Sequence, residues 1–103
     1  MKGLVLIIDD NPLDIKIVTT VMQHSGYSCH GFTEHSLGMN WLDKITPQVI
    51  FLDLQMPNVS GFDLIPLIRA RQNLSSVPLV IISGKNQMQD IKHAIQLGAN
   101  DYI

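Results

Sequence analysis

The sequence predicts an α/β fold, a doubly wound parallel sheet of five strands, on three observations. Aliphatic or aromatic runs recur at 4–8, 49–52 and 79–82, with the length and continuous apolar character of strands covered on both faces. Longer segments with helical periodicity fill the gaps between them. Acidic or hydroxyl residues follow the runs directly: Asp9 and Asp10 after the first, Asp53 after the second, Ser83 after the third. Right-handed crossovers between parallel strands then place helices on both faces of a single sheet.

Taken in order, the first strand at 4–8 leads into a helix that Asn11 can cap. Pro12 stands at the first helical position and Asp14 in the acidic first turn. Leu13, Ile17 and Val21, with Val18 and Met22 beside them, form an apolar stripe at helical spacing, and Gly26 lies beyond the helix end. A weaker strand spans 27–31 and a short helix spans 34–42. After the strand at 49–52, a helix at 62–71 contains Pro66, which removes a ladder bond and predicts a kink. The strand at 79–82 precedes a helix at 87–97, with Asn86 as cap, Gln89 three residues on and Gly98 closing it. A last weak strand occupies 101–103.

Composition bounds the function. The 103 residues suffice for one domain, and 46% hydrophobic with 16% charged residues is an ordinary globular balance. A net charge of −2 provides no basic surface to track a phosphate backbone, so direct nucleic-acid contact by this segment is excluded as an expectation. Cys29 is the single cysteine, and His24, His30, His35 and His93 are not at zinc spacing. No apolar run approaches a membrane span, and 4–8 ends in acid rather than in a cleavage site, so the chain reads as cytoplasmic.

In an open α/β sheet, ligands bind beyond the carboxyl ends of the strands. With strand order 2-1-3-4-5, the first, third and fourth strands are neighbours. Asp9, Asp10, Asp53 and Ser83 then converge on one edge. Singly, each has an ordinary explanation: a helix-start acid, a loop acid before Pro57, a Ser-Gly turn. Together they are harder to explain that way, because clustered carboxylates repel unless a cation or shared protons relieve them. An all-oxygen cluster suits a hard ion such as Mg²⁺.

The pattern Asp9-Asp10, then Asp53-Leu54-Gln55-Met56-Pro57 with Gly61, then Ser83-Gly84, then Leu97-Gly98-Ala99-Asn100-Asp101-Tyr102 resembles the receiver domain of bacterial two-component response regulators. The resemblance runs the length of the chain in order, and implies a flavodoxin-like sheet. It further implies that Asp53 accepts a phosphoryl group from a sensor histidine kinase or phosphotransfer protein. Asp10 and Asp53 would ligate Mg²⁺ with the backbone carbonyl of Gln55, and Asp9 would act largely through water. Ser83 matches the switch hydroxyl and Tyr102 the aromatic that turns inward in response. Met56, Pro57 and Gly61 would shape the loop, Gly61 by adopting a backbone angle closed to other residues. Such a module catalyses its own phosphorylation and dephosphorylation, is not a conventional turnover enzyme, and signals to a downstream output domain or protein.

The sequence also departs from the family. It stops at Ile103, ahead of the lysine and closing helix that follow the last strand in receivers, so the resemblance implies one C-terminally shortened domain over 1–103. Lys85 lies on a different loop. An apolar patch is then expected to be exposed, favouring a homodimer or strand exchange. The alternative reading is a receiver-like interaction module that is not phosphorylated in this form. A haloacid-dehalogenase-like phosphatase would need an aspartate where Gln55 stands, and a dinucleotide site would need a Gly-rich turn in place of Asp9-Asp10-Asn11-Pro12.

Overall fold

In the computed structural model, which describes residues 3–82, 84 and 88–103, the elements alternate as the apolar runs require. They are β1 (Gly3–Ile8), α1 (Pro12–His24), β2 (Tyr27–Phe32), α2 (His35–Leu42), β3 (Val49–Leu52), α3 (Gly61–Arg69), β4 (Leu79–Ile81), α4 (Met88–Leu97) and β5 (Asp101–Tyr102). A 3-10 turn at Gln72–Leu74, not foreseen from the sequence, links α3 to β4. The strands form one wholly parallel sheet of order β2-β1-β3-β4-β5.

The continuous apolar runs are explained by double burial. In β1, Val5, Leu6, Ile7 and Ile8 are all fully buried, because the strand lies between β2 and β3 with both faces covered. Alternation sends Leu6 and Ile8, with Ile50 and Leu52 of β3, into the larger core against Leu42 of α2, Leu64, Ile65 and Ile68 of α3, and Ala94 of α4. Val5, Ile7 and Phe51 point the other way, onto Ile15, Val18 and Met22 of α1. Each fully buried Leu or Ile contributes about 1.5–3 kcal/mol.

The apolar stripe read for α1 divides in the structure: Val18 and Met22 meet the sheet, while Leu13, Ile17 and Val21 are 60%, 54% and 59% exposed. The helix is apolar over two sides. Ile15, Val18 and Met22 take the sheet, leaving the second stripe turned outward. An apolar stripe on the outer side of α1 is thus exposed.

Helix ends follow local chemistry. Asn11 Oδ1 accepts from the Leu13 amide at 2.9 Å, and Ser60 Oγ accepts from the Phe62 amide at 3.2 Å. Ser60 is the reason α3 begins at Gly61. That helix is continuous through Pro66, which is exposed, and ends at Arg69. Gly26 and Gly98 close α1 and α4 at φ 95° and 123°, angles that favour glycine. The Asn86 cap predicted for α4 lies outside the described residues.

Candidate functional site

The site is made by strand register. Ile8 of β1 is paired with Leu52 of β3, so the next residues, Asp9 and Asp53, leave the sheet side by side. The Asp53 amide donates to the Ile8 carbonyl at 2.9 Å, and the Asp9 amide to the Phe32 carbonyl at 3.1 Å. These backbone bonds carry the sheet ladder one step past each strand and fix where both side chains begin. Ligand oxygens of Asp9, Asp10 and Asp53 all lie within 4.8 Å of one another.

Asp9 is 1% exposed and Asp53 is 7% exposed, while Asp10 is exposed. Asp9 Oδ1 accepts the Asn11 amide at 2.9 Å, and Asp53 Oδ1 accepts the Gln55 amide at 3.1 Å. Asp9 Oδ2 is buried and has no hydrogen-bond partner among the described residues. Burial pushes the Asp9 carboxyl up from 3.8 to about 7, and the neighbouring charges of Asp53 and Asp14 act in the same direction. Burial likewise raises Asp53 to about 6, with Asp10 adding to the effect. The amide bonds from Asn11 and Gln55 oppose these shifts without cancelling them.

The loop after Asp53 folds back on it. Gln55 and Ser60 form an isolated antiparallel bridge, and the Gly61 amide donates to the Leu54 carbonyl at 3.0 Å. Gly61 is required, but not for the reason its sequence position suggested: its φ is not positive. A Cβ there would stand 2.3 Å from the Asp53 carbonyl oxygen and 2.7 Å from Leu54 Cα. Its function is close approach, which locks the start of α3 onto the backbone of Asp53.

Of the residues singled out from sequence, Asp10, Asp53 and Gln55 line one open cavity with Asp14 and Gly84. Asp9 is buried beside them, with a carboxylate oxygen within 4.8 Å of those of Asp10 and Asp53. Tyr102 of β5 is half-buried against the larger core, in register with Ile81 of β4. Ser83 and Lys85 lie outside the described residues. Sequence reasoning assigned Asp14 only a helix-start role, yet its charge bears on Asp9. Its spacing, four residues after Asp10 on the first turn, was the available signal.

Could this set hold a hard cation? Three clustered oxygen ligands, an unsatisfied buried carboxylate oxygen and two acids raised by burial and by their neighbours' charge all fit one.

Comparison with known proteins agrees with the geometry. The profile described as response regulator receiver domain matches residues 5–103. The chain is 34% identical over 106 residues to hybrid signal transduction histidine kinase C of Dictyostelium discoideum, covering 96% of this chain and 9% of that protein. It is 27% identical over 103 residues to the DNA-binding response regulator MtrA of Mycolicibacterium smegmatis, covering 100% of this chain and 44% of that protein. The chain thus spans less than half the length of these relatives. Among solved structures, chemotaxis protein CheY4 of Vibrio cholerae superposes with a TM-score of 0.92 at 19% identity, covering 100% of this chain and 86% of that one. The BeF3-activated DrrB receiver domain superposes at 0.88 with 20% identity, covering 100% and 84%. At these identities the structures speak for the fold, and the profile over nearly the whole length speaks for descent: this chain belongs to the response regulator receiver domain family.

Proposed function

We propose that this domain is a phosphoacceptor in a two-component relay, taking a phosphoryl group from a kinase or phosphotransfer phosphohistidine onto Asp53. The observation that carries the reading is the Asp9, Asp10, Asp53 cluster with its unpartnered buried Asp9 oxygen. In the reaction an Asp53 carboxylate oxygen forms a bond to phosphorus as the phosphorus–nitrogen bond of the donor imidazole breaks. The Gln55 amide holds Asp53 Oδ1, which leaves the other oxygen to attack. Asp10 and Asp53, the Gln55 carbonyl and Asp9 through water would hold Mg²⁺. When bound, that ion neutralises charge between the carboxylates and the phosphoryl oxygens.

Gly61 keeps the Asp53 backbone in place, and Ser83 and Tyr102 are assigned the switch roles that the family pattern implies. The domain acts on itself rather than turning over a separate substrate, and its partners are a histidine kinase or phosphotransfer protein and a downstream output domain. The absence of any described helix long and apolar enough to cross a membrane accords with a cytoplasmic placement for this segment. The exposed Leu13, Ile17 and Val21 stripe supports self-association of this chain. A monomeric mass in sedimentation at high concentration would rule that out.

The test is intact-mass measurement after incubation with a small-molecule phosphodonor, with and without Mg²⁺, beside Asp53→Asn. A Mg²⁺-dependent phosphoryl adduct, lost in the variant, is the expected result. No adduct from folded protein that binds Mg²⁺ would overturn phosphorylation of this chain and leave the interaction-module reading.

A further inference from the structure

We propose that Asp14 is a fourth carboxylate of the cation site, strengthening divalent-ion binding through its charge and through Asp9 rather than as a direct ligand. The proposal rests on the cation-binding reading of the site above.

The argument begins with helix chemistry. Asp14 is the third residue of α1, the position from which an acid ordinarily reaches back to the capping residue's amide. Here that amide, of Asn11, is already taken by Asp9 Oδ1 at 2.9 Å. Capping is therefore done by Asp9 and by the Asn11 side chain. Asp14 instead is half-buried and lines the same cavity as Asp10, Asp53 and Gln55. Its charge also acts on the buried Asp9 carboxylate, whose Oδ2 has no donor among the described residues.

Placing a carboxylate beside a buried, unsatisfied carboxylate is unfavourable unless positive charge is brought in. The N-terminal dipole of α1 offsets part of this repulsion, as it would for any first-turn acid. It does not explain why Asp14 is half-buried in the wall of the acidic cavity rather than left in open solvent. A divalent cation held by Asp10 and Asp53 would relieve Asp9 and Asp14 together. Because the oxygens clustered within 4.8 Å of one another are those of Asp9, Asp10 and Asp53, the contribution of Asp14 is long-range attraction and support of the cation's outer waters. It would also make the cavity more negative toward an incoming anionic phosphodonor. Asp14 thus favours the metal, and its removal should be read in Mg²⁺ binding.

The experiment is calorimetric titration of the full chain with MgCl₂, comparing the native sequence with Asp14→Asn, Asp14→Glu and Asp10→Asn. Asp43→Asn serves as a net-charge control, since Asp43 follows α2 at the opposite end of the sheet, paired with Arg71. Asp14→Asn should weaken Mg²⁺ binding about three- to tenfold, the range expected for one carboxylate acting through partly wet surroundings. Asp14→Glu should stay near the native value, Asp10→Asn should lose binding, and Asp43→Asn should change little. Unchanged or tighter binding in folded Asp14→Asn, with Asp10→Asn still defective, overturns the role of Asp14 and leaves the cation site standing. Equal losses in Asp14→Glu and Asp14→Asn show a packing effect and also overturn it. No Mg²⁺ binding by the native chain removes the cation-site reading itself, and this proposal with it.

Discussion

Replacing Gly61 by alanine sets two physical effects of opposite sign against each other. Gly61 opens α3, where alanine is the better helix former by up to about 1 kcal/mol, so propensity alone predicts a gain in stability. Against this, the new methyl would stand 2.3 Å from the Asp53 carbonyl oxygen and 2.7 Å from Leu54 Cα. Both are backbone atoms, and the Gly61 amide is tied to the Leu54 carbonyl at 3.0 Å, so neither side can turn away. Relief requires parting the α3 start from the β3 exit by roughly 1 Å, and overpacking of this kind typically costs about 1–3 kcal/mol. The clash wins: Gly61→Ala should destabilise the domain by about 1–2 kcal/mol, lowering Tm by roughly 5–15 °C for a chain of this size. Because the displaced atoms belong to Asp53 itself, phosphorylation of the folded variant should slow about tenfold or more, the cost of a misplacement near 1 Å. Urea unfolding gives the first quantity, and phosphodonor labelling below the transition gives the second. A variant as stable as the native chain, or more so, would refute the argument from close approach.

Further outcomes follow from the same contacts. Asp9 and Asp53 titrate at about 7 and about 6 in the folded chain against 3.8 ordinarily, so the folded state holds protons that the unfolded state has released. Their favourable contribution is full below pH 4 and is lost as pH rises through 6–7; unfolding in chelator should show a decline on the order of a few kcal/mol across that window, and no decline would refute the shifts. Asp53→Asn removes one buried like charge, so at pH 8 in chelator it should raise Tm, and Mg²⁺ should narrow the difference by stabilising only the native chain; an unchanged Tm in chelator would count against repulsion. Arg69→Met keeps the aliphatic stem but loses bonds to the Gly98, Leu74 and Val77 carbonyls and to Asn100 Oδ1, at 2.9, 2.8, 2.6 and 2.7 Å. Denaturant unfolding should register a loss of about 2–4 kcal/mol, and a loss under about 1 kcal/mol would show that water replaces the guanidinium.

What could be read from the sequence was whatever one residue type reports by itself. Val5 to Ile8 and Ile50 to Leu52 are buried on both sides, so their apolar character is continuous and the parallel sheet is legible. The carboxylates were legible because each follows such a run, and ligands collect at strand ends. Elements whose form depends on distant partners were not. The 3-10 turn at Gln72–Leu74 is held by Arg69, which bonds the Leu74 carbonyl from within α3. Which side of α1 meets the sheet was ambiguous because both sides are apolar, and Leu13, Ile17 and Val21 proved to be the outer one. Gly61 was noticed for its residue type, but its reason lies in the distance to Asp53, which no local pattern contains.

The same geometry that gathers the carboxylates makes the site unfavourable for folding. Asp9 is held inside the protein by a ladder bond to Phe32 and an amide from Asn11, with one oxygen left unsatisfied. Nothing in packing would select an aspartate there over an asparagine, whose amide could donate to a neighbouring carboxylate. The fold tolerates it because the loss is spread over rigid surroundings: β1 is fully buried, and Gly61 presses α3 against the exit of β3. Strain held in so stiff a frame cannot relax by local movement, and is relieved only by a change of charge. A proton, a cation or a phosphoryl group each alters that charge. A domain whose acidic edge is stressed until one of them arrives is therefore suited to reporting which one has.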